Sequence, residues 1–374
     1  MKEISQEDLR ERLVAGESIT LLDIREMDEF SDWHIHGSLN LPMYNAINAG
    51  QHGIVKEKMR EVTLDADKPV VAVCRMGNTS KVAADALQSM GYDAFSLIGG
   101  IFRWSNAWTE ARISLSTAKD STLFQIRRNG KGCLSYVFGS NGEAAVVDPC
   151  VDVSVYTSIA EREGFKIVHV LETHVHADHV SRARALCEAT GARLSMRDND
   201  RVQFEYNALH DRDEIKVGTI TITAAATPGH TMESVCFSVD GEVLLTGDTL
   251  FVENIGRPDL EKGDAGAGAG ARALYDSLHN RVLKFDDDIT ICPGHTSSSI
   301  GFDGAPIAGG LRDISQRIEL LRTDKEDFAK LIPELLGAKP PNFERVIAIN
   351  EGKAELGWLD PLELEAGPNR CAVK

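Results

Sequence analysis

Thr173-His174-Val175-His176-Ala177-Asp178-His179 gathers three imidazoles and a carboxylate into one short stretch, and His230, Asp248 and His295 follow at wide intervals. Polar side chains at that density do not suit the buried face of a strand, so the stretch reads as a loop. There imidazole nitrogens and a carboxylate can converge on a cation. The pairs Gly229-His230, Gly247-Asp248 and Gly294-His295 can close the shell from other loops.

Working outward, Phe124 to Arg127, Ser135 to Phe138 and Ala144 to Asp148 read as short antiparallel strands between Gly-rich turns. A helix is expected near Val153 to Glu163, followed by a strand over Lys166 to Leu171 that leads into the histidine loop. Asp240-Gly241 is a hairpin turn between Ser234 to Val239 and Glu242 to Thr246. Gly263 to Ala271 alternates Gly and Ala, offers no packing pattern and is expected to be a mobile loop; without a following Lys-Ser/Thr it is no phosphate cradle.

The first third of the chain has a different rhythm. Ser5 with Asp8 caps a short helix that stops at Gly16, and Thr20 to Ile24 and Pro69 to Val73 read as buried strands. Ser80 to Met90 carries apolar residues at helical spacing, ends at Gly91 and precedes the strand Phe95 to Ile98. Strand, helix, strand implies parallel pairing and an independent α/β domain. Periodicity fades after Trp104, placing a linker at 114–121 between domains 1–113 and 122–374. At 374 residues the chain exceeds one ordinary core.

A hydrophobic share of 43% and a charged share of 26% are ordinary for globular protein, and no apolar run is long enough to span a bilayer. The opening Met1-Lys2-Glu3-Ile4 lacks a basic region followed by an apolar stretch, so a cytoplasmic location is expected. A net charge of −17 repels phosphate backbones and argues against nucleic acid as a partner. Seven cysteines without a secretion signal argue for reduced thiols.

One cysteine stands in a special place. Val71-Ala72-Val73-Cys74-Arg75-Met76-Gly77-Asn78-Thr79-Ser80 reads as a strand, a tight loop and a helix start. Backbone N–H groups converging at a helix N-terminus favour a sulfur anion at Cys74, with Arg75 as a further anion contact. A phosphatase loop would end in arginine to clamp phosphate oxygens, and Ser80 stands there instead.

His174, His176, Asp178, His179, His230, Asp248 and His295 resemble the metallo-β-lactamase superfamily motif over about Ser121 to Gly352. The resemblance implies an αββα sandwich with ligands on loops. Two chemistries fit these residues. Two zinc ions bridged by Asp248 would generate a hydroxide for hydrolysis. A single ferrous ion on His174, His230 and Asp248 would leave positions for dioxygen, with His176, Asp178, His179 and His295 as outer partners.

The Cys74 loop, with Leu22-Asp23-Ile24-Arg25-Glu26 and His34-Ile35-His36-Gly37-Ser38, resembles a rhodanese domain over about Lys2 to Ala111. That implies sulfur transfer through a Cys74 persulfide, with Arg75, Gly77, Asn78, Thr79 and Ser80 around the sulfur. Trp33 and His36 depart from the glycine and proline usual there.

Together the halves resemble persulfide dioxygenase–rhodanese fusions. The resemblance implies one Fe(II) per chain, a glutathione-type persulfide and O2 as substrates, sulfite and thiol as products, and exchange with thiosulfate or sulfite at Cys74. It also implies a homodimer, and gives Arg257 of Gly256-Arg257-Pro258-Asp259 a supporting role. Lys339-Pro340-Pro341-Asn342-Phe343 would border the substrate entrance. Ile255 and Thr296 depart from the cysteine and the Asp-Tyr pair frequent in that group. The alternative is a dizinc thioester hydrolase of the hydroxyacylglutathione hydrolase type with an appended rhodanese domain. A non-catalytic docking role for the first domain is opposed by retention of Cys74.

Overall fold

The computed structural model describes residues 2–116 and 121–373; residues 117–120 of the expected linker lie outside the described residues. Strands β1 (Glu3–Ile4), β2 (Thr20–Asp23), β3 (Leu39–Asn40), β4 (Val70–Val73) and β5 (Ala94–Leu97) form one sheet in the order β1-β5-β4-β2-β3. Every pair is parallel. Buried on both faces, the central strand β4, Val70-Val71-Ala72-Val73, is apolar throughout. Leu22, Val70 and Ala72 pack in one core cluster, Leu21, Val71 and Val73 in another. The helix Gln6–Val14 opens at Ser5, whose hydroxyl accepts the Asp8 N–H at 3.0 Å, as the capping pattern implies.

The second region is built from two sheets. The first contains β6 (Thr109–Ile113), β7 (Thr122–Arg128), β8 (Cys133–Ser140), β9 (Glu143–Val147), β10 (Lys166–Glu172), β11 (Arg193–Arg197) and β12 (Asn207–Leu209), lying side by side in chain order. β6 to β9 run antiparallel and β9 to β12 parallel. The second contains β13 (Glu214–Val217), β14 (Ile220–Ala226), β15 (Val235–Val239), β16 (Val243–Gly247), β17 (Thr290–Pro293) and β18 (Gly309–Gly310). Asp240 and Gly241 both have positive φ, 49° and 73°, which gives the expected tight hairpin.

Alternation along β8 shows how the layers form. Leu134, Tyr136 and Phe138 join a cluster shared with Ile222, Phe237 and Leu245 of the other sheet. Cys133 and Val137 join Tyr156, Ile159 and Leu186 from the helices Val153–Arg162 and Ala183–Thr190. Each large apolar side chain so buried contributes about 1.5–3 kcal/mol relative to exposure. The other outer face is covered by the helix Gly263–Asn280, through Ala271, Leu274 and Leu278. The result is a helix–sheet–sheet–helix sandwich. No helix among the described residues is long and apolar enough to cross a membrane.

Two expectations change. Thr109–Ile113, placed at the end of the first domain, is instead the edge strand of the seven-stranded sheet, paired antiparallel with β7. Gly263 to Ala271 is not a loop but the first half of the long helix. Its small residues permit close approach. A Cβ on Gly270 would lie 2.7 Å from the Pro258 carbonyl oxygen, and one on Gly229 would lie 2.3 Å from Leu274 Cα. The helix therefore rests directly on the loop that carries His230.

Candidate metal centre and cysteine loop

The histidine loop leaves the end of β10 under the control of Asp148, at the end of β9. Asp148 accepts from the Thr173 N–H and from its hydroxyl, both at 2.7 Å. Because the Thr173 proton goes to Asp148, its oxygen must accept from His174 Nδ1, 2.8 Å away. His174 therefore presents a bare Nε2. His230, between β14 and β15, donates from Nδ1 to the Arg257 carbonyl at 2.6 Å and likewise presents a bare Nε2. Asp248, just after β16, turns Oδ2 toward both, at 3.7 Å from His174 and 3.5 Å from His230.

The ligand atoms of His174, His230 and Asp248 all lie within 4.8 Å of one another. His174 Nε2 and Asp248 Oδ2 are buried without a hydrogen-bond partner. Converging lone pairs in a dry pocket are unfavourable unless a cation sits among them, so these residues fit a metal ion. Burial, joined by the charge of His176, holds the His174 imidazole well below its usual range, and burial also lowers His230. Burial opposes ionisation of Asp248, but His295 and His174 outweigh it and lower the carboxyl. Metal-ready protonation states are thus the resting ones.

The remaining histidines of the motif sit differently. His176 Nε2 lies 2.9 Å from Glu172 and 3.3 Å from Asp148, out of line for a hydrogen bond to either. Burial disfavours its charge, but these carboxylates outweigh burial and raise it well above the usual value. His295, after β17, is held between two carboxylates: Nδ1 is 2.6 Å from Asp248 and Nε2 is 3.2 Å from Asp178. Against the cost of burial they push its imidazole up to about 10. His179 Nδ1 is 3.0 Å from the other oxygen of Asp178.

Several participants carried no legible signal in the sequence. Cys133 donates to Asp178 at 3.2 Å and belongs to a ligand group with Asp178, His179 and His295. Cys371 groups with Asp248 and His295. Lys131 Nζ, fully buried, lies 3.9 Å from Asp178 and bonds the Glu365 and Gly367 carbonyls. Arg257 supports the centre through its backbone carbonyl. Its guanidinium pairs with Asp259 and bonds the carbonyls of Gly337, Ala338 and Arg370. The segment Lys339 to Phe343 begins just past these carbonyls, with Lys339 paired to Asp264 at 2.9 Å.

In the first domain Cys74 follows β4. Its sulfur receives the Gly77 N–H at 3.1 Å and lies 3.2 Å from the Ser80 hydroxyl. Gly77, at φ 80°, and Gly100 leave no room for a Cβ, which would meet the Leu97 oxygen and the Cys74 oxygen respectively. Of the residues expected around the sulfur, Gly77 and Ser80 reach it. Arg75 makes a two-point pair with Glu29 and lies over the Tyr44 ring, Thr79 donates to Asn48, and Asn78 occupies the N-cap of the helix Thr79–Ser89.

The departures Trp33 and His36 lie where the two regions meet. Trp33 leaves no space for a Cβ on Gly132, which would stand 2.9 Å from its ring. His36 Nδ1 is 3.1 Å from the Ser299 hydroxyl, and Arg370 pairs with Asp32 at 2.8 Å. Ile255 is buried under Val373, whose N–H bonds its carbonyl, and the Thr296 carbonyl accepts from Asn369. Beside this junction lie two cavities of about 400 and 390 Å³. The first reaches His295 and is lined also by Arg127, Phe251 and Ser299.

A buried His/Asp centre on the loops of an αββα sandwich, preceded by a parallel-sheet domain with a cysteine loop, defines a fusion of two enzyme-type domains. Residues 128–295 match the Metallo-beta-lactamase superfamily and residues 5–107 the Rhodanese-like domain. The chain thus carries a rhodanese domain followed by a metallo-β-lactamase domain. It is 31% identical over 174 residues to a hydroxyacylglutathione hydrolase of Anaeromyxobacter dehalogenans, covering 46% of this chain and 65% of that one. It is 28% identical over 228 residues to the human mitochondrial persulfide dioxygenase ETHE1, covering 58% of this chain and 82% of that one. Among solved structures, ETHE1 from Myxococcus xanthus superposes with a TM-score of 0.55 at 25% identity, covering 61% of this chain and 97% of that one. The chain spans just under two thirds of that hydrolase's length.

Proposed function

We propose that the protein is a persulfide dioxygenase coupled to a sulfurtransferase. The observation that carries this reading is the asymmetry of the centre. His174, His230 and Asp248 bring two imidazole nitrogens and one carboxylate oxygen to one point, whereas His176 Nε2, also without a hydrogen-bond partner, lies beside two carboxylates, Glu172 and Asp148, and His295 is hydrogen-bonded between two more. That is a two-histidine, one-carboxylate face suited to one ferrous ion. Held there, iron supplies the redox chemistry that lets dioxygen react with a sulfane sulfur. The balance is RSSH + O2 + H2O giving RSH, sulfite and two protons. Thr173 and the Arg257 carbonyl fix the imidazoles, and Asp248 keeps one oxygen on His295 and the other on the centre. Similarity to ETHE1 supports the substrate class.

At the other site the Cys74 thiolate attacks the outer sulfur of thiosulfate and releases sulfite. A thiolate acceptor then takes that sulfur from the Cys74 persulfide as RSS⁻ and restores the thiolate. The Gly77 N–H and Ser80 hydroxyl are the donors placed to hold the anionic sulfur. The runner-up is a dizinc thioester hydrolase, favoured by the grouping of Cys133, Asp178, His179 and His295 as a second ligand set.

Anaerobic purification should yield about one iron per chain, with oxygen uptake and sulfite on addition of glutathione persulfide. Two zinc ions, and hydrolysis of S-lactoylglutathione without oxygen uptake, would overturn the reading. Cys74→Ser should abolish transfer from thiosulfate to thiols while leaving metal content unchanged.

A further inference from the structure

Between Val175 and Ser181 the histidine loop belongs to no strand or helix, so its buried backbone polar groups need partners from elsewhere. Those partners are side chains from much later in the chain. The Val175 N–H donates to Glu233 at 3.0 Å and the Val180 N–H to Glu365 at 2.9 Å. Asn350 takes three groups at once. Its Nδ2 donates to the His176 and His179 carbonyls, both at 2.8 Å, and its Oδ1 accepts the Ser181 N–H at 2.9 Å. Two carbonyls and one N–H admit only one orientation of the amide, and it uses both donors and the acceptor.

Asn350 is 9% exposed and ends the helix Phe343–Asn350, which seats Val346 and Ile349 against Val180 and Leu364. The same helix end is anchored on both sides. Arg184 donates to the Ile349 carbonyl at 2.9 Å, and Glu351 pairs with Arg201, which also pairs with Glu233. The amide is therefore delivered to the loop by a packed scaffold. The span it clamps carries Asp178. That carboxylate lies 3.2 Å from His295 Nε2, and His295 Nδ1 is 2.6 Å from Asp248, one of the three groups converging on the ion site. A shift of the loop at His176 or His179 is passed to Asp248 along these hydrogen bonds.

We infer that Asn350 is a positioning residue for the metal centre. Its side-chain amide holds the histidine loop in its ion-binding shape before the ion arrives and, through Asp178 and His295, sets the aim of Asp248. The inference goes beyond the proposed reaction and requires only the ion site, whichever metal is native. Aspartate, of the same shape, sets an oxygen against the two carbonyls, and alanine leaves all three backbone groups unpaired.

The test loads the anaerobic full-length protein with cobalt(II), whose d–d absorption reports ligand geometry, and compares Asn350→Asp and Asn350→Ala with wild type. Chelator competition should show about a tenfold loss of cobalt affinity, the lower end of the effect of removing an outer partner of a metal ligand. At saturating cobalt the d–d bands of the variants should shift or broaden, which loss of a residue that only stabilises the fold would not cause. Sulfur transfer from thiosulfate by Cys74 should be unchanged, showing that the first domain is intact. If Asn350→Asp fails to fold, Asn350→Ala decides. One measurement needs no substitution: in the metal-free wild type, amide exchange over residues 175–181 should be slow. Fast exchange there, or wild-type bands with affinity within threefold in the folded variants, overturns the inference. The dioxygenase reading fails separately. Zinc as the native metal, together with Asn350-dependent cobalt bands, would remove the dioxygenase and leave the positioning role standing.

Discussion

Thr173→Val tests how the centre is prepared for its ion. Valine keeps the shape of threonine and removes only the hydroxyl, which now donates to Asp148 at 2.7 Å and accepts from His174 Nδ1 at 2.8 Å. Both partners are buried, and both would lose a hydrogen bond. Leaving a buried polar group unpaired costs about 1–3 kcal/mol, and the Thr173 N–H still holds the other Asp148 oxygen, so the metal-free fold should lose a few kcal/mol and survive. The larger effect falls on the imidazole. Without the hydroxyl, nothing compels His174 to carry its proton on Nδ1, and part of the population presents Nε2–H to the ion. Removing a partner of a metal-ligating histidine typically lowers affinity by roughly 10- to 100-fold, or about 1.4–2.8 kcal/mol. Chelator competition under anaerobic conditions measures this loss directly, and the Thr173→Ser variant, which restores the hydroxyl, should recover most of it. An affinity within threefold of wild type in Thr173→Val would refute the account of the tautomer.

Two further outcomes follow from the structure. His295 has a folded value near 10, above its ordinary value of about 6.5, so its stabilisation of the metal-free protein is complete below that ordinary value and is lost as pH rises through about 10. Loading one ion at His174, His230 and Asp248 should therefore release almost no proton at pH 7.5, because the two imidazoles are already neutral and Asp248 is ionised. Calorimetry in buffers of different ionisation enthalpy counts the protons, and about one per chain would mean that His295 gives up its proton when the ion binds, contrary to this account. Separately, Gly268→Ala, whose Cβ would meet nothing nearer than Arg272 at 3.8 Å, should stabilise the helix Gly263–Asn280 by about 0.8–1 kcal/mol in urea unfolding. Gly270→Ala should instead destabilise by about 1–3 kcal/mol, because its Cβ meets backbone oxygen at 2.7 Å; equal effects at the two positions would contradict the packing described.

Legibility in the sequence followed locality. The histidine loop, the Asp240-Gly241 turn and the strand–helix–strand rhythm of the first domain are set by neighbours in the chain, and each is where local pattern puts it. Thr109–Ile113 was not assignable because edge pairing with β7 depends on a partner beyond the linker. The Gly-Ala run looked featureless because small side chains signal close approach only once the opposing backbone, here Pro258 and Gly229, is known. Lys131 and Cys133 lie in one segment and Cys371 in another far along the chain, and they reach Asp178 and Asp248 only through tertiary packing. Trp33 and His36 stood out as unusual residues, but their meaning lies in surfaces of the other region.

Gly256 makes an isolated bridge to Ala372, the Arg257 N–H bonds the Cys371 carbonyl, and Asn369 ties Lys131 to Thr296. Residues at the far end of the chain are thus woven among loops that hold the histidines, whereas the cysteine loop draws only on residues before position 108. During synthesis the rhodanese domain can fold while later residues are still being added, since domains generally fold as units. The histidine pocket of the metallo-β-lactamase domain closes only once residues 369–373 are in place against its loops, so it is assembled later than the cysteine loop.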